Sequence, residues 1–160
     1  MKLGFIGVGA MGKPMAANLL KAGYQLQVND VSEAAVSELA GQGAVPCATP
    51  REAVLETDAV ITMLPNSAIV ESVMTGAEGV FAGAKPGQII IDMSSVDPFF
   101  TKGMAKAAAE KGFKYVDAPV SGGVAGAASG SLTIMVGGDN ETVAAIDPVL
   151  KVLGQGYFHQ

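Results

Sequence analysis

The chain has 160 residues, 49% of them hydrophobic and 16% charged, with a formal net charge of -5; this composition can bury one core and excludes a disordered tail. No Lys/Arg cluster with interleaved aromatics occurs, so a nucleic-acid partner is not expected, and no apolar run reaches the ~18 residues that a membrane-spanning helix needs. Cys47 is the single cysteine, which leaves no disulfide within the chain and no paired spacing for a metal, and fits a reducing cytoplasm.

In chain order, residues 1–6 form a short apolar run that leads into glycines. The stretch Leu3 to Gly12 is not a signal peptide, because glycines break it and no basic segment precedes it. Met11 to Lys21 carries apolar residues at helical spacing and Gly23 stops it. Gln25 to Asn29 reads as a strand, with Ser32 as N-cap of a helix over Glu33 to Leu39. A short strand near Ala44 and Val45, a helix opening at Thr49-Pro50 and a strand from Ala59 to Met63 follow. A helix begins after Asn66, Gln88 to Asp92 is a strand, and a long helix runs from about Asp97 to Lys111. Lys114 to Asp117, Leu132 to Val136 and Tyr157-Phe158 supply later strands. Between the first two, Ser121 to Gly130 reads as a binding loop rather than a linker, because it holds Val124 and is flanked by strands. Strands that alternate with helices and are apolar at nearly every position define an α/β fold of one domain: a doubly wound, mostly parallel Rossmann sheet.

Gly7-Val8-Gly9-Ala10-Met11-Gly12 is a G-x-G-x-x-G placed between a strand and a helix, the context in which this motif signals dinucleotide binding. Gly7 suits the tight turn, Gly9 the approach of a pyrophosphate and Gly12 close packing of helix on strand. Asp30 follows the second strand, where a carboxylate can bind the adenosine ribose hydroxyls and repel a 2′-phosphate. NAD is therefore expected over NADP. Two alternatives stand beside this: Asp30 as a turn or cap residue, and a register in which neutral Asn29 meets the ribose.

The run Phe5-Ile6-Gly7-Val8-Gly9-Ala10-Met11-Gly12-Lys13-Pro14-Met15-Ala16-Ala17-Asn18-Leu19 resembles the N-terminal signature of the 3-hydroxyisobutyrate dehydrogenase, or β-hydroxyacid dehydrogenase, family, which includes tartronate semialdehyde reductase. Asp117-Ala118-Pro119-Val120-Ser121-Gly122-Gly123, continuing through Gly126-Ala127 to Gly130, is similar to that family's substrate-binding loop. Met63-Leu64-Pro65 and Asp92-Met93-Ser94-Ser95-Val96-Asp97-Pro98 agree with it as well. The resemblance implies nicotinamide-dependent oxidation of a small 3-hydroxy acid. It places Leu64, Pro65 and Ser95 at the ribose and nicotinamide end of the cofactor, and Ser121, Gly122 and Gly123 on the substrate. Exposed main-chain N–H groups at paired glycines, with a serine hydroxyl, suit a carboxylate. Read singly, Leu64-Pro65 is also a strand stop, and Ser95 and Asn66 are also helix caps. Ile69 stands where some family members carry a polar residue.

The same family takes the hydroxyl proton on a lysine within a G-x-G-x-x-x-K-x-x-N segment that leads into an all-helical second domain. No such segment occurs here, so the expectation is a cofactor domain, residues 1–160, that does not turn over substrate alone. Lys102, Lys106, Lys111 and Lys151 read as solvated surface charges and His159 as a mobile terminal residue. The alternative is a stand-alone nucleotide-binding or interaction module. A domain that normally packs on another should expose an apolar patch, through which it could also self-associate; an independent module should not.

Overall fold

The computed structural model describes residues 1–160. Six strands, β1 (Lys2–Ile6), β2 (Gln25–Asn29), β3 (Val45–Pro46), β4 (Ala59–Thr62), β5 (Ile89–Asp92) and β6 (Lys114–Asp117), form a parallel sheet in the order β3-β2-β1-β4-β5-β6. The order reverses between β1 and β4, which opens a crevice beyond the carboxyl ends of these two strands. Leu3, Phe5, Ala59, Ile61 and Ile91 join one buried cluster, while Ile6, Val60 and Ile90 join another. Alternate residues thus feed opposite faces, which is why the strands read as unbroken apolar runs.

The helices on these faces are α1 (Gly12–Lys21), α2 (Glu33–Ala40), α3 (Pro50–Val54), α4 (Ser67–Thr75), α5 (Val80–Gly83) and α6 (Pro98–Glu110). Four start where a side chain satisfies free N–H groups: Ser32 accepts from Ala35, Thr49 from Glu52, Asn66 from Ile69, and Asp97 from Phe99 and Phe100. Asn66 is therefore the cap of α4. Asp97, not Ser95, caps α6.

The remaining chain forms β7 (Val120–Ser121), α7 (Gly123–Ser129), β8 (Leu132–Val136), α8 (Asn140–Leu153) and β9 (Gly154–His159). β7 pairs antiparallel and β9 parallel with β8, and this small sheet meets the large one where Asp117 and Gly137 exchange main-chain hydrogen bonds of 3.0 and 2.8 Å.

One sequence expectation is corrected here, and one element was not foreseen. Residues 123–129 are helical rather than loop; glycine and alanine disfavour neither close approach nor burial, and Gly126 and Ala127 pack inward while the helix lies against α1 and β8. Residues 140–153, given no element from sequence, form the longest helix. Its buried residues Val143, Ile146, Val149, Leu150 and Leu153 follow helical spacing, and their burial offsets the cost of Pro148 within the helix, about 3 kcal/mol. No helix is long and apolar enough to cross a membrane.

Candidate dinucleotide site

A cavity of about 650 Å³ lies beyond the carboxyl ends of β1, β2 and β4, lined in part by Gly7, Gly9, Gly12, Asp30, Leu64 and Pro65. Three glycines shape it in three ways. Gly7 has a φ of 97° and a side chain there would strike the Met63 carbonyl. A side chain on Gly12 would strike the Gly7 carbonyl, so the start of α1 is pressed onto the turn. Gly9 is exposed with no atom within 4 Å of the position its Cβ would take, an opening for a ligand backbone rather than a packing contact. Ala10 and Met11 complete the wall, and Val8 is buried beneath it. No side chain caps α1. Its start, at Met11 and Gly12, borders the cavity, and the positive dipole end of a helix placed there favours phosphate.

Asp30 stands beside this loop with both oxygens engaged: Oδ2 accepts from Val8 N–H at 2.8 Å and Oδ1 from Ser32 N–H at 2.7 Å. It is a turn residue and a wall of the cavity at once. Each oxygen has a further lone pair for a ribose hydroxyl. Asn29 lines the same cavity but is buried, and its amide donates to the Cys47 carbonyl at 3.0 Å, so Asp30 is the more exposed of the two. Ile69 and Val73 supply an apolar wall opposite, and the apolar side chain at position 69 adds no side-chain hydrogen bond.

Pro65 is shared with a second cavity of about 490 Å³, which Ser95, Asn66, Val96 and Pro119 also line. The two lie side by side along the ends of the strands. Ser121, Gly122 and Gly123 are exposed at the start of α7 and line neither cavity; Gly122 and Gly123 have φ of 134° and 65°. The sequence-predicted cofactor residues are thus brought together around two adjoining spaces, and the predicted substrate residues stand apart from them.

Under the second cavity lies a polar group that sequence reasoning missed. Asp92 is 1% exposed and accepts from Thr62 Oγ1 at 3.0 Å and Ser94 N–H at 3.1 Å, with the Tyr115 hydroxyl at 3.4 Å. Burial pushes its carboxyl up, against hydrogen bonds from Ser94, Thr62 and Tyr115. Burial also raises Tyr115 and Asp117, the residue of β6 paired directly with Asp92, and the charge of Asp92 adds to both. Ser94 Oγ accepts from Leu64 N–H at 2.8 Å. The tandem Ser94-Ser95 was visible in sequence, but not which serine is buried and which faces the cavity.

The lysines at 102, 106, 111 and 151 are exposed and line neither cavity. His159 is not a loose end: it is the last residue of β9, pairs with Val136 of β8, and its Nε2 is 2.7 Å from the Gly138 carbonyl. No group of three or more His, Cys, Asp or Glu is gathered as a metal site would require.

A doubly wound sheet with a glycine turn, an uncapped helix start and an acid after the second strand defines a Rossmann dinucleotide-binding domain. The chain belongs to the family described as the NAD binding domain of 6-phosphogluconate dehydrogenase, which matches residues 2–160. It is 52% identical over 159 residues to 2-(hydroxymethyl)glutarate dehydrogenase of Eubacterium barkeri, covering 99% of this chain and 53% of that protein. The solved structure of Mycobacterium tuberculosis 3-hydroxyisobutyrate dehydrogenase with L-serine matches with a TM-score of 0.94 and 39% identity, over 99% of this chain and 53% of the other. That of Psf3 in complex with NADP+ and 2-OPP gives 0.94 and 30%, over 99% and 56%. The resemblance to hydroxyacid dehydrogenases read from the sequence is borne out. The chain spans about half the length of the relatives it matches.

Proposed function

We propose that this chain is the cofactor half of a cytoplasmic oxidoreductase that interconverts a small 3-hydroxy acid and its semialdehyde or keto form, using NAD. The observation that carries this is the single cavity in which the uncapped start of α1, Gly9 and Asp30 converge. The α1 N-terminus and the Gly7–Gly12 loop would hold the pyrophosphate, Asp30 the adenosine ribose, and Leu64, Pro65 and Ser95 the nicotinamide end. A bound nicotinamide supplies the hydride acceptor or donor. Ser121, Gly122 and Gly123 would bind the substrate carboxylate through a hydroxyl and exposed N–H groups.

NAD is favoured over NADP by charge. A 2′-phosphate beside Asp30 would meet a carboxylate, and Val31 and Ser32, which follow it, offer no cation. The chain alone is proposed to bind cofactor without turnover, since no lysine reaches either cavity to take the hydroxyl proton. An all-helical second domain would supply that lysine. The exposed pair Met135 and Phe158, facing each other across β8 and β9, supports a surface made to be covered.

Titration with NADH and NADPH, followed by an assay with a panel of 3-hydroxy acids, tests this. The expected result is NADH binding at least about tenfold tighter than NADPH and no turnover. Tighter NADPH would overturn the role of Asp30, and turnover by these 160 residues would overturn the need for another domain. Failure to bind either nucleotide would remove the functional reading altogether.

A further inference from the structure

We propose that Ser94, backed by Asp92, is a positioning residue for the nicotinamide end of the cofactor: it fixes Pro65, the wall common to both cavities. This rests on the nucleotide-binding reading above. Leu64 and Pro65 follow β4 and have left the sheet, so the Leu64 N–H has no strand partner; it donates instead to Ser94 Oγ at 2.8 Å. Ser94 is 1% exposed and cannot itself touch a ligand. Its neighbour Ser95 is exposed and lines the second cavity. One hydrogen bond therefore sets the spacing between the two sides of that cavity, Pro65 on one and Ser95 on the other.

Asp92 fixes Ser94 in turn. Its Oδ1 accepts from Ser94 N–H and from Thr62 Oγ1, and Thr62 is the last residue of β4, two before Leu64. The carboxylate thus ties together both segments that form the cavity, while the Tyr115 hydroxyl approaches its other oxygen from β6. No buried side-chain polar atom lacks a partner in this group, so it is a closed network with one defined geometry rather than an adaptable one. The same network explains a tandem of serines: one hydroxyl holds the frame and the other faces the ligand.

The Ser94→Ala variant leaves the Leu64 N–H without its partner and frees Leu64-Pro65 to shift. The test compares affinity for NADH with affinity for ADP, which carries the adenosine and pyrophosphate but no nicotinamide riboside. The expected result is a loss of about tenfold for NADH with less than about threefold for ADP. A general structural defect would lower both together, and that result, or no loss for either, overturns the proposal. Equal affinity of the unaltered chain for NADH and ADP would also overturn it, because the nicotinamide end would then contribute nothing. If the unaltered chain binds neither, the nucleotide-binding reading itself has failed. Ser94→Cys, which keeps a weak sulfur acceptor of similar size, is the second variant should the alanine fail to fold. It should show the same split between NADH and ADP at smaller size, and an equal loss for both would again overturn the assignment.

Discussion

Glycine does opposite work at the two ends of this chain. In the turn from β1 to α1, Gly7 and Gly12 bring main chain against main chain, and Gly9 leaves an opening that faces a cavity. From β7 to β8, Gly126 turns inward toward Leu132 within a helix, and Gly130 ends that helix in the left-handed region with φ of 67°. In the first set Gly12 is constrained by its near neighbour Gly7, and Gly7 by the Met63 carbonyl just past the end of the adjoining strand β4. The second is explained only once α1 and β8 are in place.

The largest effect is expected where the constraint is local and absolute. Gly12→Ala would place a methyl group on the Gly7 carbonyl, and neither main-chain segment can yield without moving β1 or α1. A loss of roughly 3 kcal/mol or more in stability is expected, with NADH binding weakened by at least about a hundredfold. Thermal melting and a cofactor titration check both. Binding within a few-fold of the unaltered chain would mean that the turn is not the phosphate cradle.

The same distinction accounts for what the sequence allowed to be read. The glycine turn, Asp30 and the caps Ser32 and Asn66 depend on local chemistry, strand 25–29 on burial of both sheet faces and strand 132–136 on alternate burial, and they stand where residue patterns put them, as does strand 114–117. The helix over residues 123–129 was not legible, because its glycines argue for a loop until α1 supplies a surface to pack on. The helix over 140–153 went unassigned although its apolar residues follow helical spacing; Pro148 within it disfavours a helix until burial offsets the cost. Ser94 and Asp92 could be given no role: both gain their meaning from partners distant in the chain, about 30 positions away for Thr62 and Leu64.

One side chain joins the two regions. Asn18 on α1 donates to the carbonyls of Ala127 and Ala128 at 2.9 and 3.2 Å, and so satisfies the end of α7 from another helix. Asn18→Ala is expected to cost about 1–3 kcal/mol in denaturant unfolding. It should also speed proteolysis within residues 121–131 while leaving NADH affinity within about twofold. Weakened NADH binding without faster cleavage would show that Asn18 serves the glycine turn instead of α7.

A subtler difference lies in Asp92, whose carboxyl is raised by burial. A group with a folded pKa above its unfolded value of ~3.9 favours the fold most at low pH, and that contribution is lost as pH rises through the folded value. The slope is at most about 1.4 kcal/mol per pH unit between the two values. In Asp92→Asn the oxygen still accepts from Thr62 and Ser94, and the charge is gone. Its stability relative to the unaltered chain should therefore improve as pH rises through that interval and level off above it. A pH-independent difference, measured by urea unfolding at several pH values, would mean that Asp92 carries no net penalty for its charge.

The smallest effect is expected at Gly123, and it separates the two uses of glycine most sharply. Its φ is 65°, yet no atom lies within 4 Å of where a Cβ would sit. Gly123→Ala therefore meets no collision and costs only the left-handed backbone preference, about 1 kcal/mol. Gly12→Ala adds the same methyl group and meets a carbonyl. If urea unfolding gives Gly123→Ala a cost close to that of Gly12→Ala, the start of α7 must be as tightly built as the dinucleotide turn. A small cost with NADH affinity unchanged would leave the two glycines as the structure has them: one fixed by contact, the other only by the direction in which the chain must turn.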